Sequence, residues 1–580
     1  MKHILLCITV IFSCWFNAFA QYPYPKDYFI SPIALELKLV GNFGEIRPDH
    51  FHSGIDISTE GKEGFPIYAI ADGFVSRINI SPYGYGKAIY VDHPNGYTSV
   101  YAHLKSFNPT IGNFAKNIQY LKESFDIDTL LSPLLFVKKG DIIGYSGNSG
   151  SSQGPHLHVE IRDTKTEMPI NPLLFGYKIK DDVPPHMISL TIYPLSASSS
   201  INGKQKTKKM EIKPDGEFYT VDKSDTLIIH GETGFGIECF DTETGSTNPN
   251  AVFSIELQSG GRRMYYAEFE KFAFEDTRYV NTHIDFSEKE INNIKIQKCF
   301  VSKNNQLGIY KGLRNYGIMN FNDNSDHWMR IILKDIAGNT STLIFKVKGT
   351  TAEIIAKDTA LVSPEKPYCD ALFNCEADNY YKDDNIEVSI PINALYDDVF
   401  FTINKFPKNA DTYSPVYRIK NKETAIHIPY LLKIKANNLP VQLQKKAVVV
   451  TLTAKGNYHY IGGNYADGWV IANPRVFGSF TVVTDTSAPN INPSFKIHAK
   501  NVADFSTTNE IRITIVDNLS GINTYRGTID NRWVLFEYDA KSNVLTYTFD
   551  ERIKSGNHTL RLEVTDNTDN KSNLEVTFKK

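Results

Sequence analysis

Three short stretches in the first 160 residues carry side chains able to do chemistry: His52-Ser53-Gly54-Ile55-Asp56, Tyr101-Ala102-His103-Leu104 and Gly154-Pro155-His156-Leu157-His158. Successive side chains on a β-strand point to opposite faces, so His156 and His158 present two imidazoles side by side. Imidazole is the commonest metal-binding side chain and suits zinc, which at catalytic sites takes three protein ligands and leaves one position open. His52, Asp56 and one imidazole of the 156/158 pair would supply that set. Gly54 allows the tight turn that brings His52 and Asp56 round to one point. A hydrolase also needs groups to take a proton from water and to stabilise a tetrahedral intermediate. His103 and the remaining imidazole of the pair are the candidates, because imidazole titrates near neutral pH. No His-Glu-x-x-His helix is present, so a glutamate base of that kind is excluded.

Elements must position these groups. Lys87 to Asp92 and Tyr97 to His103 read as a hairpin around His93-Pro94-Asn95-Gly96, and Pro66 to Ile80 as two strands broken at Asp72-Gly73. Ile142 to Ser146 and Leu157 to Arg162 flank a glycine- and serine-rich loop, Gly147 to Gly154. His50 and His93 read as loop and turn residues. Between the strands lies Phe107 to Val137, a long insertion with room for one helical turn or more.

With these motifs in place, Val40 to Phe175 resembles the lysostaphin-type (LytM-like) zinc metallopeptidases. The resemblance rests on Gly44 to Arg47, His52-x-Gly54-x-Asp56, Tyr101-Ala102-His103-Leu104 and Gly147-Asn148-Ser149-Gly150 through Gly154-Pro155-His156-Leu157-His158-Val159-Glu160. It implies a small antiparallel β fold with an open groove and one zinc ion on His52, Asp56 and His158, with His103 and His156 as the catalytic pair. It also implies hydrolysis of peptide bonds in peptidoglycan stems or cross-bridges. The 107–137 insertion and the long C-terminal part depart from the family pattern, and the insertion is expected to line or cover one end of the groove.

The fold class expected for the whole chain is mostly β: a small antiparallel β-sheet metallopeptidase domain followed by about three β-sandwich-like domains. The expected division is a signal peptide at 1–20, the peptidase domain at 21–180, a sandwich of immunoglobulin-like type at 184–349, a β-rich domain at 350–485 and a second sandwich at 486–580. A weak repeat supports the two sandwiches. Leu333-Lys334-Asp335 to Ser341 and Val564-Thr565-Asp566 to Ser572 each lead a closing strand, and Pro184-Pro185 parallels Ala488-Pro489. The Asp and Asn of these hairpin turns read as structural, since such turns favour them.

Lys2, the apolar run Ile4 to Phe16 and Ala18-Phe19-Ala20 read as an export signal, with a lipoprotein signal ending at Cys14 ranked second. The protein is therefore expected in the periplasm, at the cell surface or secreted. No later stretch reaches 18 apolar residues, so no transmembrane segment is expected in the mature chain. A net charge of −3 argues against a nucleic-acid partner. Expected partners are peptidoglycan peptides, with envelope proteins engaged through the C-terminal domains. Beyond the signal, Cys239 with Cys299 and Cys369 with Cys375 are candidate pairs, set against four free thiols. Two other functions compete: a non-hydrolytic cell-envelope binding or regulatory protein, and a zinc peptidase of protein substrates.

Overall fold

The computed structural model describes residues 22–222, 227–351, 368–453, 455–497 and 502–580. The expected export signal lies outside them. No helix among the described residues is long and apolar enough to cross a membrane.

The N-terminal unit is built on short strands: β1 Leu39–Gly41, β2 Ile55–Ser58, β3 Pro66–Tyr68, β4 Gly73–Ile80, β5 Lys87–Asp92 and β6 Tyr97–Ala102. After β7 Ser106–Phe107 come helix α1 Pro109–Lys122, β8 Ile127–Leu130, β9 Phe136–Val137, β10 Ile142–Tyr145, β11 His156–Asp163 and β12 Pro169–Ile170. The main sheet has the order β1-β2-β11-β6-β5-β4-β8, and β3-β10-β7 form a small second sheet. Alternation decides which face is which. Leu157, Val159 and Ile161 of β11 are fully buried in the apolar core, so His156, His158, Glu160 and Arg162 must share the other face.

The insertion holds more helix than one turn. Asn108 caps α1 by accepting from the Ile111 amide at 2.9 Å, and Pro109 starts the helix where no amide bond is lost. Its return strands β8 and β9 both pair with β4, three strands from β11 in the sheet. The helix faces the C-terminal sandwich instead of the His-bearing strands. Tyr120 packs edge-on against Trp533 at 5.0 Å, with the Arg552 guanidinium 4.1 Å from its ring centre. Lys116 pairs with Asp550 at 2.6 Å and Glu123 with Arg526 at 2.6 Å. The sandwich in turn reaches the loop before β11, where Lys541 donates to the carbonyls of Asn148 and Ser152. The insertion thus extends the far sheet edge and seats a sandwich, and that sandwich contacts the glycine-rich loop.

Residues 186–349 form one connected twelve-stranded network, through which the long strand Leu227–Phe240 runs. Residues 371–484 form two five-stranded sheets and a two-stranded pair, and 490–579 form a four- and a five-stranded sheet. The repeated Asp-led turns close the hairpins Asp326–Lys334/Thr340–Gly349 and Asn557–Asp566/Lys571–Lys579. Cys239, Cys299, Cys369 and Cys375 are all free thiols, so neither candidate disulfide forms.

Candidate metal centre and catalytic pair

His158 and Asp56 are direct cross-strand partners on β11 and β2, and Ala102, the last residue of β6, faces His158 from the other side. His103 follows at once, with its backbone in the left-handed region (φ 58°). That turn swings its ring to 4.9 Å from His156 and 5.7 Å from His158. His52 arrives on the loop before β2. The five side chains singled out from three separate motifs therefore meet at one place.

Hydrogen bonds select which nitrogen of each ring faces that place. His52 Nδ1 donates to the Asn42 carbonyl at 2.8 Å, which leaves Nε2 as a lone-pair donor. His158 Nε2 lies 2.9 Å from Glu160 Oε1 and donates to it, which leaves Nδ1. Asp56 turns Oδ2 to Arg47 Nη2 at 2.9 Å, which leaves Oδ1. His52 Nε2, His158 Nδ1 and Asp56 Oδ1 stand 2.9 to 3.1 Å from one another, buried. Two imidazole lone pairs and a carboxylate oxygen packed so closely repel unless a cation or proton lies among them. Their spacing fits three corners of a zinc tetrahedron, whose edges are about 3.3 Å when bonds are 2.0–2.1 Å. The residues present therefore fit one zinc ion.

The electrostatics agree. Burial opposes charge on Asp56, but the charge of His52 and hydrogen bonds from His156, His158 and His52 hold its carboxyl well below the usual range. Burial also disfavours charge on His158, yet Asp56 and Glu160 together push it up to about 9. In the metal-free protein a proton thus sits on His158, where a metal would replace it.

Glu160 sits two residues beyond His158 on the same face of β11. It accepts from Ser53 Oγ at 2.6 Å, Tyr85 OH at 2.5 Å and His158, while Arg162 holds its other oxygen at 2.6 Å. Arg162 stacks on Phe274 of the neighbouring domain, its guanidinium carbon 4.5 Å from the ring centre. Although burial opposes it, the Arg162 charge and the His158 hydrogen bond keep Glu160 ionised far below the normal carboxylate pKa. A carboxylate on the outer nitrogen of a metal-binding histidine fixes its tautomer and raises its basicity. The i, i+2 spacing from His158 to Glu160 to Arg162 was the signal available in the sequence. Glu160→Gln is expected to lower zinc affinity about 10- to 100-fold, as read by competition with a fluorescent zinc chelator.

Gly54 is required by close approach. A Cβ there would stand 2.4 Å from the Val159 carbonyl and 3.0 Å from His158 Cε1. The loop bearing His52 is anchored from outside the domain. Phe43 stacks on Phe272 at 4.8 Å, Phe51 packs edge-on against Phe269 at 5.4 Å, and the Phe51 amide donates to Thr277 Oγ1 at 2.7 Å. Asn42, whose carbonyl orients His52, is clamped by both backbone groups of Ala251 at 2.8 Å. The first sandwich is therefore a wall of the metal site. Sequence reasoning missed this, because a contact some 200 residues apart leaves no local pattern.

The catalytic candidates differ from the ligands. His103 Nδ1 donates to the Ser149 carbonyl at 2.9 Å, and His156 Nδ1 to the Gly154 carbonyl at 2.8 Å, so both turn Nε2 away from the loop, that of His156 lying 3.4 Å from Asp56 Oδ1. Burial, then the charges of His158 and His156, push His103 down to about 3, so it is neutral at physiological pH. His93 takes no part: it donates to the Asp72 carbonyl and meets Ser99 Oγ, both at 2.8 Å. His50 lies against Asp49 at 2.9 Å on the loop.

Comparison with known proteins agrees with the fold and the motifs. Residues 50–123 and 127–172 match the family described as Peptidase family M23, and residues 370–485 match the Zu5-like domain. The DD-carboxypeptidase/endopeptidase Mpg of Neisseria meningitidis serogroup B is 34% identical over 122 residues, 21% of this chain and 22% of that protein. The glycyl-glycine endopeptidase ALE-1 of Staphylococcus capitis is 30% identical over 159 residues, 27% of this chain and 35% of that protein. Among solved structures, the catalytic domain of lysostaphin from Staphylococcus simulans is similar at 24% identity, covering 24% of this chain and 92% of that one, with a TM-score of 0.19. The chain thus spans about a fifth to a third of the length of these curated relatives, and the match to Peptidase family M23 falls in its N-terminal unit. That unit is an M23 (LytM-type) peptidase domain, carried in a mostly β chain.

Proposed function

We propose that this chain is an exported zinc metalloendopeptidase that hydrolyses peptide bonds of peptidoglycan stems or cross-links. The observation that carries this reading is the convergence of His52 Nε2, Asp56 Oδ1 and His158 Nδ1, 2.9 to 3.1 Å apart, beside the imidazoles of His103 and His156, each held through Nδ1 on a loop carbonyl. The relatives Mpg and ALE-1 are named as endopeptidases, which supports the reaction type.

His52, Asp56 and His158 hold the ion. Zinc, when bound, supplies Lewis acidity to the scissile carbonyl and draws the pKa of a water at its open position toward neutrality. His103, kept neutral and fixed through Nδ1 on Ser149, accepts the water proton at Nε2. His156, fixed through Nδ1 on Gly154, acts as the imidazolium ion, and its Nε2–H donates to the oxygen that gains charge as the carbonyl becomes tetrahedral. Proton return to the departing amine by the same pair completes the cleavage. The ligands are buried, whereas the His103 and His156 side chains are only part-buried, so the substrate reaches the pair first.

The test is product analysis. The zinc-loaded full chain, incubated with muropeptides of several cross-link types, is expected to release new peptide termini visible by mass spectrometry. No cleavage of any wall peptide, with or without added zinc, would overturn the reading in favour of a binding or regulatory role. Cleavage of glycine-rich protein loops alone would point to a peptidase of proteins.

A further inference from the structure

Away from the metal centre, two carboxylate triads occur at equivalent places in two domains: Asp181, Asp241 and Asp335 in the first sandwich, and Asp485, Asp517 and Asp566 in the last. Each residue of a triad offers one oxygen, and the three oxygens lie within 4.8 Å of one another. The equivalence is residue by residue. Asp181 and Asp485 each stand five residues before the first strand of their domain, which begins at His186 in one and Asn490 in the other. Asp241 and Asp517 each directly follow the residue paired with that strand start, Phe240 with His186 and Val516 with Asn490. Asp335 and Asp566 each lead the closing hairpin turn, and Asn339 and Asn570 four residues on repeat the same bonds. Asn339 Nδ2 donates to Asp335 Oδ2 and to the Asp181 carbonyl at 2.8 and 3.2 Å. Asn570 Nδ2 donates to Asp566 Oδ2 and the Asp485 carbonyl at 2.7 and 3.0 Å.

Turn chemistry accounts for Asp335 and Asp566 taken singly. Asp181, Asp485 and Asp517 also accept amides of their own turns, but turn chemistry does not account for the meeting of three carboxylates at each place. Asp241 is 5% exposed, and its buried Oδ1 has no hydrogen-bond partner. Asn250, bridged to Asp241 through both backbone bonds, also carries a buried Oδ1 without a partner. In the second triad Asp517 Oδ1 is likewise buried and unpartnered. Among the described residues no Lys, Arg or His nitrogen pairs with any of the six carboxylates. Lys446 gives its ammonium to the Thr568 carbonyl at 2.6 Å instead. Burial, followed by the charges of Asp335 and Asp181, pushes the Asp241 carboxyl up to about 8, which is the electrostatic cost of this packing without a counter-ion.

We infer that each triad is a calcium site, so that the chain binds one calcium ion at the entry to each sandwich. Calcium takes six to eight oxygen ligands at about 2.3–2.6 Å, so three ligand oxygens within 4.8 Å of one another can lie on one ion. Imidazole and thiolate are absent from both triads, which disfavours zinc there. In each site one ligand comes from the segment entering the domain and two from the domain itself, so the ion ties the entering chain to the sandwich. In the first site the loop from Asp241 also carries Glu243, which accepts from the Leu39 amide at 3.1 Å, and Ala251, which clamps Asn42. Calcium there would stiffen the wall behind His52.

The full chain, stripped of metals and restored with one equivalent of zinc, is titrated with calcium chloride in a calorimeter and melted with and without calcium. Two ions per chain are expected, with Kd on the order of 10⁻⁵ to 10⁻³ M, and a higher Tm in calcium. Asp241→Asn and Asp517→Asn, which preserve shape, are each expected to leave one ion, and the double variant none. An absence of saturable calcium binding to the wild-type chain overturns the inference whatever the variants do. Retention of both ions by the folded double variant overturns the placement. An equal response to magnesium overturns the assignment to calcium.

Discussion

His158→Ala is expected to yield a folded protein that retains no zinc and cleaves no wall peptide. Three contacts disappear with that imidazole: Nδ1 to Asp56 Oδ1 and to His52 Nε2, and Nε2 to Glu160. Asp56 and His52 alone give two ligands, too few for a stable tetrahedral site. Glu160 keeps Ser53, Tyr85 and Arg162, so its charge stays paired and the sheet survives. Metal content after dialysis should fall to background. The thermal stabilisation that zinc gives the wild type, about 4 kcal/mol at a thousandfold excess over Kd, should vanish. Normal zinc content in this variant would refute the ligand assignment. The same residue sets a pH dependence. Its folded pKa is raised to about 9, so in the metal-free protein the stability it contributes is complete below its unfolded pKa near 6.5 and is lost as pH rises through 9. Zinc must displace that proton, so zinc affinity should climb about tenfold per pH unit between those limits. Isothermal titration at several pH values reads this slope directly, and a flat profile would contradict it.

His103→Ala and His156→Ala should each reduce hydrolysis by about 10²- to 10⁴-fold, the usual contribution of a positioned acid or base, while zinc content is kept. Neither ring is needed to close the ligand triangle, which is complete without them. Each is held through Nδ1 on a carbonyl of the 147–154 loop, and Asp56, which His156 Nε2 also faces at 3.4 Å, keeps Arg47, His52 and His158, so the loss of either ring leaves a small part-buried gap rather than an unpaired charge. The double variant should be little worse than either single one, because the two act on one transition state. Turnover of a defined muropeptide, measured beside metal content, separates this pair from the ligands. Full activity in either single variant would remove that residue from the catalytic machinery.

Much of the site was legible before folding, because its signals are local. His-x-His on a strand fixes a shared face, and Gly54 announces a close approach. Glu160 and Arg162 continue the same alternation, and that part of the pattern went unused. The 107–137 segment shows why other features stayed hidden. Its composition allowed a helix, but its placement depends on Tyr120, Lys116 and Glu123 meeting Trp533, Asp550 and Arg526, more than 400 residues away. The Asp-led turns repeat the lesson, since Asp335 and Asp566 looked like turn residues until Asp181, Asp241, Asp485 and Asp517 were brought beside them.

The sequence by itself determined the chemistry on offer, a candidate metal set and a histidine pair on short strands, because residue type and a two-residue period are properties of the chain alone. Only the tertiary structure decided which nitrogen of each ring faces the point where the five side chains meet, since that depends on carbonyls of Asn42, Ser149 and Gly154 and on the Glu160 carboxylate. It also decided that the first sandwich is a wall of the site and that the last one grips the loop before β11. Both are contacts between distant segments, and such contacts follow from how whole cores pack.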